Sequence, residues 1–366
     1  MELGIIGLPS SGKTTVFNAL TGADRPTTVA SSGRLELFSM VVDVPDVRVD
    51  MLSALYSPRK TTYAKVTYTD IAGLDQDLGK TGLTGELRNK IAPMDAFVHV
   101  VRVFENDLVP HLAGSIDPQR DIETLEGEFL LADMLTVENR LARIDEGLHK
   151  GARGDERKAL LDDRELFHRL QAALNEGTPL RDLNLTAEEI SGLRGFGLLT
   201  LKPVLILLNA GEDPIEPDKT ITYNHKHSMG TAQTQALAIQ GKLEMELSQL
   251  AADEAADFME EFGITELART RVIQASYKLV GLQSFFTVSE DEVRAWNVRV
   301  GAHALEAAGV VHTDLARGFI RAEVISCADH IAEGSMAAAR KAGKVHLEGK
   351  DYIVQDGDVI YVRFSI

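Results

Sequence analysis

The sequence predicts an α/β fold, with a parallel sheet flanked by helices, an inserted α-helical hairpin and a smaller α+β domain towards its C-terminal end. Three observations carry this expectation. Four apolar runs alternate with helical patterns, one long segment switches to apolar steps of three and four residues, and from about Ser284 strand-like runs are divided by tight turns.

The apolar runs are Leu3 to Gly7, Tyr63 to Asp70, Ala96 to Arg102 and Val204 to Asn209. Helical patterns lie between them at Thr14 to Leu20, Val47 to Tyr56 and Leu87 to Ile91. Such alternation is the signature of parallel strands with helical crossovers. From Asp121 to Leu148 the apolar residues Leu125, Phe129, Ala132, Leu135, Val137, Leu141, Ile144 and Leu148 follow a helical period. After Gly151-Ala152-Arg153-Gly154 the pattern resumes at Leu160, Leu161, Leu166, Phe167, Leu170 and Leu174, which predicts an antiparallel helical arm. The arm's turn, from His149 to Lys158, concentrates basic charge, as a solvated turn or as a contact for RNA or another partner. Towards the C-terminal end, strands are expected at Phe319 to Ser326, Lys344 to Leu347, Tyr352 to Gln355 and Val359 to Phe364. A short helix is expected over Gly334 to Ala342, and Cys327 is placed at a strand end.

A chain of 366 residues with 44% hydrophobic residues is long enough for two or three packed domains. No run of about 18 apolar residues occurs, so no membrane-spanning helix is expected. The opening Glu2-Leu3-Gly4-Ile5-Ile6 lacks the basic and apolar regions of a signal peptide, so a cytoplasmic protein is expected, and a monomer. Cys327 is the single cysteine, which excludes an intramolecular disulfide and a cysteine zinc site. A net charge of −17 argues against broad coating of nucleic acid, because that binding needs a surplus of Lys and Arg.

Gly7-Leu8-Pro9-Ser10-Ser11-Gly12-Lys13-Thr14 fits G-x-x-x-x-G-K-[ST] without a mismatch and lies between a strand and a helix. Glycines let backbone N–H groups turn inward around phosphates, and the helix N-terminus adds its positive dipole end. Ser10, Ser11, Gly12, Lys13, Thr14 and Thr15 are therefore the candidate phosphate-binding residues. Lys13 would span the β- and γ-phosphates, and the Thr14 hydroxyl would bind Mg2+. Asp70-Ile71-Ala72-Gly73 ends the next strand, where Asp70 can hold the Mg2+ shell through water and Gly73 can offer its N–H to the γ-phosphate. Thr27 and Thr28 are both candidates to close over the γ-phosphate and Mg2+. Asn209-Ala210-Gly211-Glu212 occupies the base-recognition position after a buried strand. Guanine-specific switches carry N-K-x-D there, and the longer Glu212 is misplaced for the paired contact that their Asp makes to guanine. Adenine, with one exocyclic amine donor and the N1 acceptor, becomes plausible.

Together these residues resemble the YchF/Obg-like ATPase family, and the similarity extends over most of the chain. Val44-Pro45-Asp46-Val47-Arg48-Val49-Asp50, Asp70-Ile71-Ala72-Gly73-Leu74 and His99 to Asp107 are similar to its V-P-D-x-R-x-D, D-I-A-G-L and H-V-V-R-x-F-E-N-D stretches. Ala132 to Leu141 resembles the start of its helical arm, and Gln240-Gly241-Lys242-Leu243-Glu244 stands in the place of its S-A-K-x-E base loop. Phe285 to Trp296, Gly309 to Val324 and Gly349 to Asp358 resemble its TGS domain. The resemblance implies a P-loop nucleotide-binding (G) domain over 1–120 and 199–280, a helical arm over 121–198, and a ubiquitin-like β-grasp (TGS) domain over 281–366. It also implies a weak ATPase that often accepts GTP and associates with ribosomes, with Thr28 as the Mg2+-sensing threonine and Gln240 and Gly241 beside the base. Lys13, Gly73 and Leu74 are the candidate catalytic positions. Leu74 stands where related GTPases carry a Gln that orients water; it has no hydrogen-bonding group, so slow turnover is expected.

The chain departs from the family at Ser10, Ser11 and Thr14, where G-x-P-N-x-G-K-S is usual, and in the shortened segment Arg25-Pro26-Thr27-Thr28-Val29. An ATP-preferring hydrolase is the leading reading. A GTP-specific switch of the same fold and a nucleotide-binding scaffold with negligible turnover stand beside it.

Overall fold

The computed structural model describes residues 1–27, 36–72, 83, 85–111, 113–213, 215–216, 233–262 and 264–365. The chain divides into two compact units, one of residues 1–40 and 67–272, the other of residues 41–66 and 273–366. Residues 41–66, read from the sequence as part of the nucleotide-binding domain, thus group with the C-terminal residues.

In the first unit a six-stranded sheet runs β2-β4-β1-β5-β6-β7, with β1 Glu2–Ile6, β2 Glu36–Asp43, β4 Lys65–Ala72, β5 Ala96–Arg102, β6 Val204–Asn209 and β7 Thr234–Ile239. Strand β1 pairs in parallel with both β4 and β5, and β5, β6 and β7 continue in parallel. All residues of β5 and β6 are buried, as strands covered on both faces must be. The expected run Tyr63 to Asp70 forms β4 two residues later than read, while β2 and β7 were not anticipated. Because β1 has β4 on one side and β5 on the other, its C-terminal end opens into a topological crevice, where open α/β sheets bind ligands.

Helix α1 (Lys13–Thr21) leaves that crevice. Helices α2 (Val47–Tyr56) and α3 (Gly85–Ile91) follow the predicted patterns closely. The arm is formed by α4 (Pro118–His149) and α5 (Gly154–Asn175). Asp117 caps α4 by accepting the Arg120 N–H, and Pro118 occupies the first turn, where a missing N–H costs nothing. At 32 residues α4 spans about 48 Å. Its seam, Val137, Leu141 and Ile144, packs against Phe167, Leu170 and Leu174 of α5, the residues that the helical period singled out. One polar device anchors the arm's root: the buried Asp133 carboxylate accepts from the Leu199 N–H (2.8 Å), the Thr200 N–H (2.8 Å) and the Thr200 hydroxyl (2.7 Å), just before β6.

The second unit carries a mixed six-stranded sheet, β11-β10-β12-β8-β9-β3, with β3 Lys60–Thr62, β8 Leu282–Val288, β9 Glu292–Arg299, β10 Phe319–Ser326, β11 His346–Glu348 and β12 Asp358–Phe364. Its core holds Phe285, Val298, Val324, Val354 and Ile360. Residues 41–66 are tied in by β3, which pairs in parallel with β9, and by Arg48. Arg48 donates to Asp46, the N-cap of α2, and to Asp356, and lies 5.1 Å from the Phe286 ring. These contacts hold the guanidinium well above its usual pKa despite partial burial.

Two expectations fail in this unit. Tyr352 to Gln355 is no strand: only Ile353 makes an isolated bridge, to His303. The segment is turned instead around Asp358, which accepts from the Tyr352 hydroxyl and the Gln355 N–H. Cys327 does not end a strand but opens the helix Cys327–Glu333, which Ser326 caps by accepting the Asp329 N–H. The Cys327 thiol is buried, and that burial pushes its pKa up to about 11, so it stays protonated and inert near neutrality.

Candidate functional site

The loop from Gly7 to Thr14 wraps the C-terminal end of β1. Gly7 has φ +151° and Gly12 φ +94°, and a Cβ at either would collide with neighbours: 2.3 Å from the Val100 carbonyl oxygen at Gly7, 2.2 Å from Asn209 Nδ2 at Gly12. Both positions require glycine for backbone conformation and for space. Ser10 takes a left-handed conformation, φ 61°. The Lys13 ammonium folds back over the loop, donating to the carbonyls of Gly7 (3.1 Å) and Leu8 (3.0 Å). Thr15 lies, partly exposed, in the first turn of α1.

Thr14 and Asp70 are brought together as expected: Thr14 Oγ1 donates to Asp70 Oδ2 at 3.0 Å, with Asp70 only 1% exposed. The same carboxylate oxygen also accepts from Arg25 Nη1, a partner that sequence reasoning did not assign. One hydroxyl and one carboxylate suit Mg2+, which binds through one or two carboxylates plus substrate phosphates. Among the described residues, no cluster of three or more His, Cys, Asp or Glu competes as a metal site. Ser11 Oγ is buried with no hydrogen-bond partner among the described residues, an orphaned hydroxyl at the loop that a ligand oxygen would satisfy. Thr28, Gly73 and Leu74, three of the expected site residues, lie outside the described residues.

Asn209 is a bridge. Its Nδ2 donates to the Ser11 carbonyl (2.9 Å) and its Oδ1 accepts from the Gly241 N–H (3.1 Å), so one buried amide locks the phosphate loop to the base loop. A Cβ at Gly241 would stand 2.6 Å from Asn209 Oδ1, which explains glycine at that position. Ala210 is buried and donates its N–H to Ile239 at the end of β7. Gln240 Nε2 donates to the carbonyls of Gly211 and Glu212, closing the base loop on itself, while Glu212 is exposed. A cavity of about 140 Å³ adjoins Ala210 and Gln240 and is lined further by Ala238, Leu243 and Leu247. Phe104, given no role by its residue type, also belongs here: a Cβ at Gly211 would lie 3.4 Å from its Cβ, and Arg102 stacks 4.6 Å from its ring centre.

The histidines separate by environment. His111 accepts the Ala113 N–H at Nδ1 (3.1 Å), so its Nε2 carries the hydrogen and donates to the buried Asp121 (2.8 Å). His312 is exposed, next to Asp314. His99 is buried in β5, and burial, helped by the nearby positive charges of Arg181 and Lys13, lowers its pKa to about 3. Folding therefore keeps His99 neutral, whereas the unfolded chain takes up a proton near the ordinary 6.5. Between these two values the unfolded state binds more protons, so stability falls as pH falls, by at most about 1.4 kcal/mol per unit for this group. Urea midpoints at pH 7 and pH 5 measure this loss, and His99→Gln flattens the slope; an equally steep slope in the variant would assign the loss to other groups.

Comparison with known proteins places these features in context. Residues 2–140 match a family model described as a 50S ribosome-binding GTPase. Residues 282–365 match the YchF-GTPase C-terminal model, described as a protein of unknown function. The chain is 39% identical to the ribosome-binding ATPase YchF of Bacillus subtilis, with 100% of both chains covered. It is 34% identical to Obg-like ATPase 1 of Oryza sativa subsp. japonica, covering 100% of this chain and 92% of the rice protein. The solved structure of the Schizosaccharomyces pombe YchF GTPase superimposes with a TM-score of 0.83 at 30% identity, over 99% of this chain and 97% of that one. No helix among the described residues is long and apolar enough to cross a membrane.

Proposed function

The chain belongs to the YchF family and is a nucleotide hydrolase, and from that premise we propose that it is a slow, Mg2+-dependent switch that prefers ATP and signals its nucleotide state to the ribosome. The observation that carries the reading is the convergence of Thr14 and Asp70 at the end of β1, beside a loop closed by Lys13. Thr14 and Asp70 would hold Mg2+, and Lys13 with the loop amides would bind the phosphates. Bound there, Mg2+ would neutralise charge on the transferring phosphoryl group. The protein's own part is positioning. Asn209 holds phosphate loop and base loop in one register, and the Gln240 contact fixes the carbonyls of Gly211 and Glu212.

The preference for ATP rests on Glu212, whose longer, exposed carboxylate is poorly placed for the paired guanine contact. Gly73 would donate to the γ-phosphate and Thr28 would close over the metal. Leu74 cannot orient water, which accounts for slow turnover. The arm and the C-terminal unit, read as a TGS domain of β-grasp type, would carry the ribosome contact that the name of the Bacillus subtilis relative describes.

Competitive binding of ATP and GTP with Mg2+, paired with single-turnover hydrolysis of each, tests this reading. Tighter ATP binding with slow, measurable cleavage is expected. Strong preference for GTP would transfer the assignment to a GTP-specific switch, and binding without cleavage would make the protein a scaffold.

A further inference from the structure

Arg25 lies four residues beyond α1 and is held from three directions. Asn18 clamps its backbone, with Nδ2 donating to the Arg25 carbonyl (2.8 Å) and Oδ1 accepting the Arg25 N–H (3.2 Å). Its guanidinium stacks 4.6 Å from the Phe38 ring centre, and Phe38 in turn meets Phe17 edge-on at 5.8 Å. Nη1 donates to the Asp70 oxygen that also takes the Thr14 hydroxyl. A carboxylate as buried as Asp70 needs a positive partner, because an unpaired charge in that setting is very costly. The guanidinium stands on the very oxygen that a metal between Thr14 and Asp70 would use, and one oxygen cannot serve both fully. Arg25 itself is 22% exposed, so it has a route out to solvent.

We infer that Arg25 is a built-in counter-cation of the metal subsite: it neutralises Asp70 until Mg2+, entering with the nucleotide, displaces it. The inference rests on the functional reading above and adds to it that the Mg2+ requirement for binding is set by this chain's own arginine. Entry of Mg2+ breaks one ion pair and forms another, with no covalent change. Asn18 and Phe38 stay in place as the cradle to which the guanidinium returns after release.

The test is binding of a non-hydrolysable ATP analogue across a Mg2+ series, for the unmodified protein, Arg25→Ala, Arg25→Gln and Arg25→Lys. The Mg2+ concentration for half-maximal binding is expected to fall about fivefold or more in Arg25→Ala and Arg25→Gln, with Arg25→Lys nearer the parent. Mg2+ alone, without nucleotide, is expected to raise the melting temperature of Arg25→Gln more than that of the parent. The Gln variant keeps a neutral donor at the site should the Ala variant fold poorly. An unchanged or higher Mg2+ requirement in the neutral variants would overturn the inference. If the parent itself bound no analogue at any Mg2+ concentration, the functional reading would fall, and this inference with it.

Discussion

Lys13→Ala lowers affinity for Mg2+–ATP by roughly thirtyfold or more, because truncating one partner of a buried charge-assisted pair typically costs about 2–5 kcal/mol. Lys13 is only 8% exposed and its ammonium already donates to two loop carbonyls, the kind of acceptor that a phosphate oxygen replaces. Titration with a fluorescent ATP analogue reads the loss, and an unchanged melting temperature without nucleotide separates it from misfolding. Affinity within about threefold of the parent would mean that the phosphates bind elsewhere.

Asp133→Ala is the largest expected effect on stability, a loss of about 3–5 kcal/mol. The carboxylate is fully buried and satisfies two backbone N–H groups and one hydroxyl. Its removal strands those donors in a dry environment and opens a cavity beside the arm's root. Burial also raises the Asp133 pKa against the pull of those hydrogen bonds and of Arg88. Asp133→Asn is expected to cost nearly as much, since its amide NH2 must face a backbone N–H donor whichever way it is turned. Urea midpoints at constant m-value give the number, and a loss below about 1 kcal/mol would show that water replaces the carboxylate.

The parts of this structure that were legible in the sequence rest on local periodicity. Strands β5 and β6 are unbroken apolar runs that could be placed to the residue, and the two arm helices repeat every three or four residues, so their existence and pairing could be read though their first turns could not. The phosphate loop is a local motif, and Thr14 and Asp70 meet as expected. What escaped depends on distant partners. Strand β7 reads Thr-Gln-Ala-Leu-Ala-Ile, too short and mixed to stand out, and only its pairing with β6 makes it a strand. Residues 41–66 join the C-terminal unit through pairs such as Lys60 with Glu292, a link no local pattern announces. Asn209 was read as a base contact, yet its side chain spans two loops. Arg25 drew no attention because its partners, Asp70, Asn18 and Phe38, are scattered along the chain. Two aids were in the sequence, though unused: Gly12 and Gly241 are glycines because Asn209 lies against both.

On the proposed function, nucleotide state governs engagement of the ribosome. Co-sedimentation with ribosomes in the presence of a non-hydrolysable ATP analogue, of ADP and of no nucleotide tests it most directly. Pelleted fractions are expected to differ several-fold between the triphosphate and diphosphate states, with the difference abolished in Lys13→Ala. Equal pelleting in all three states, or none in any, would contradict it.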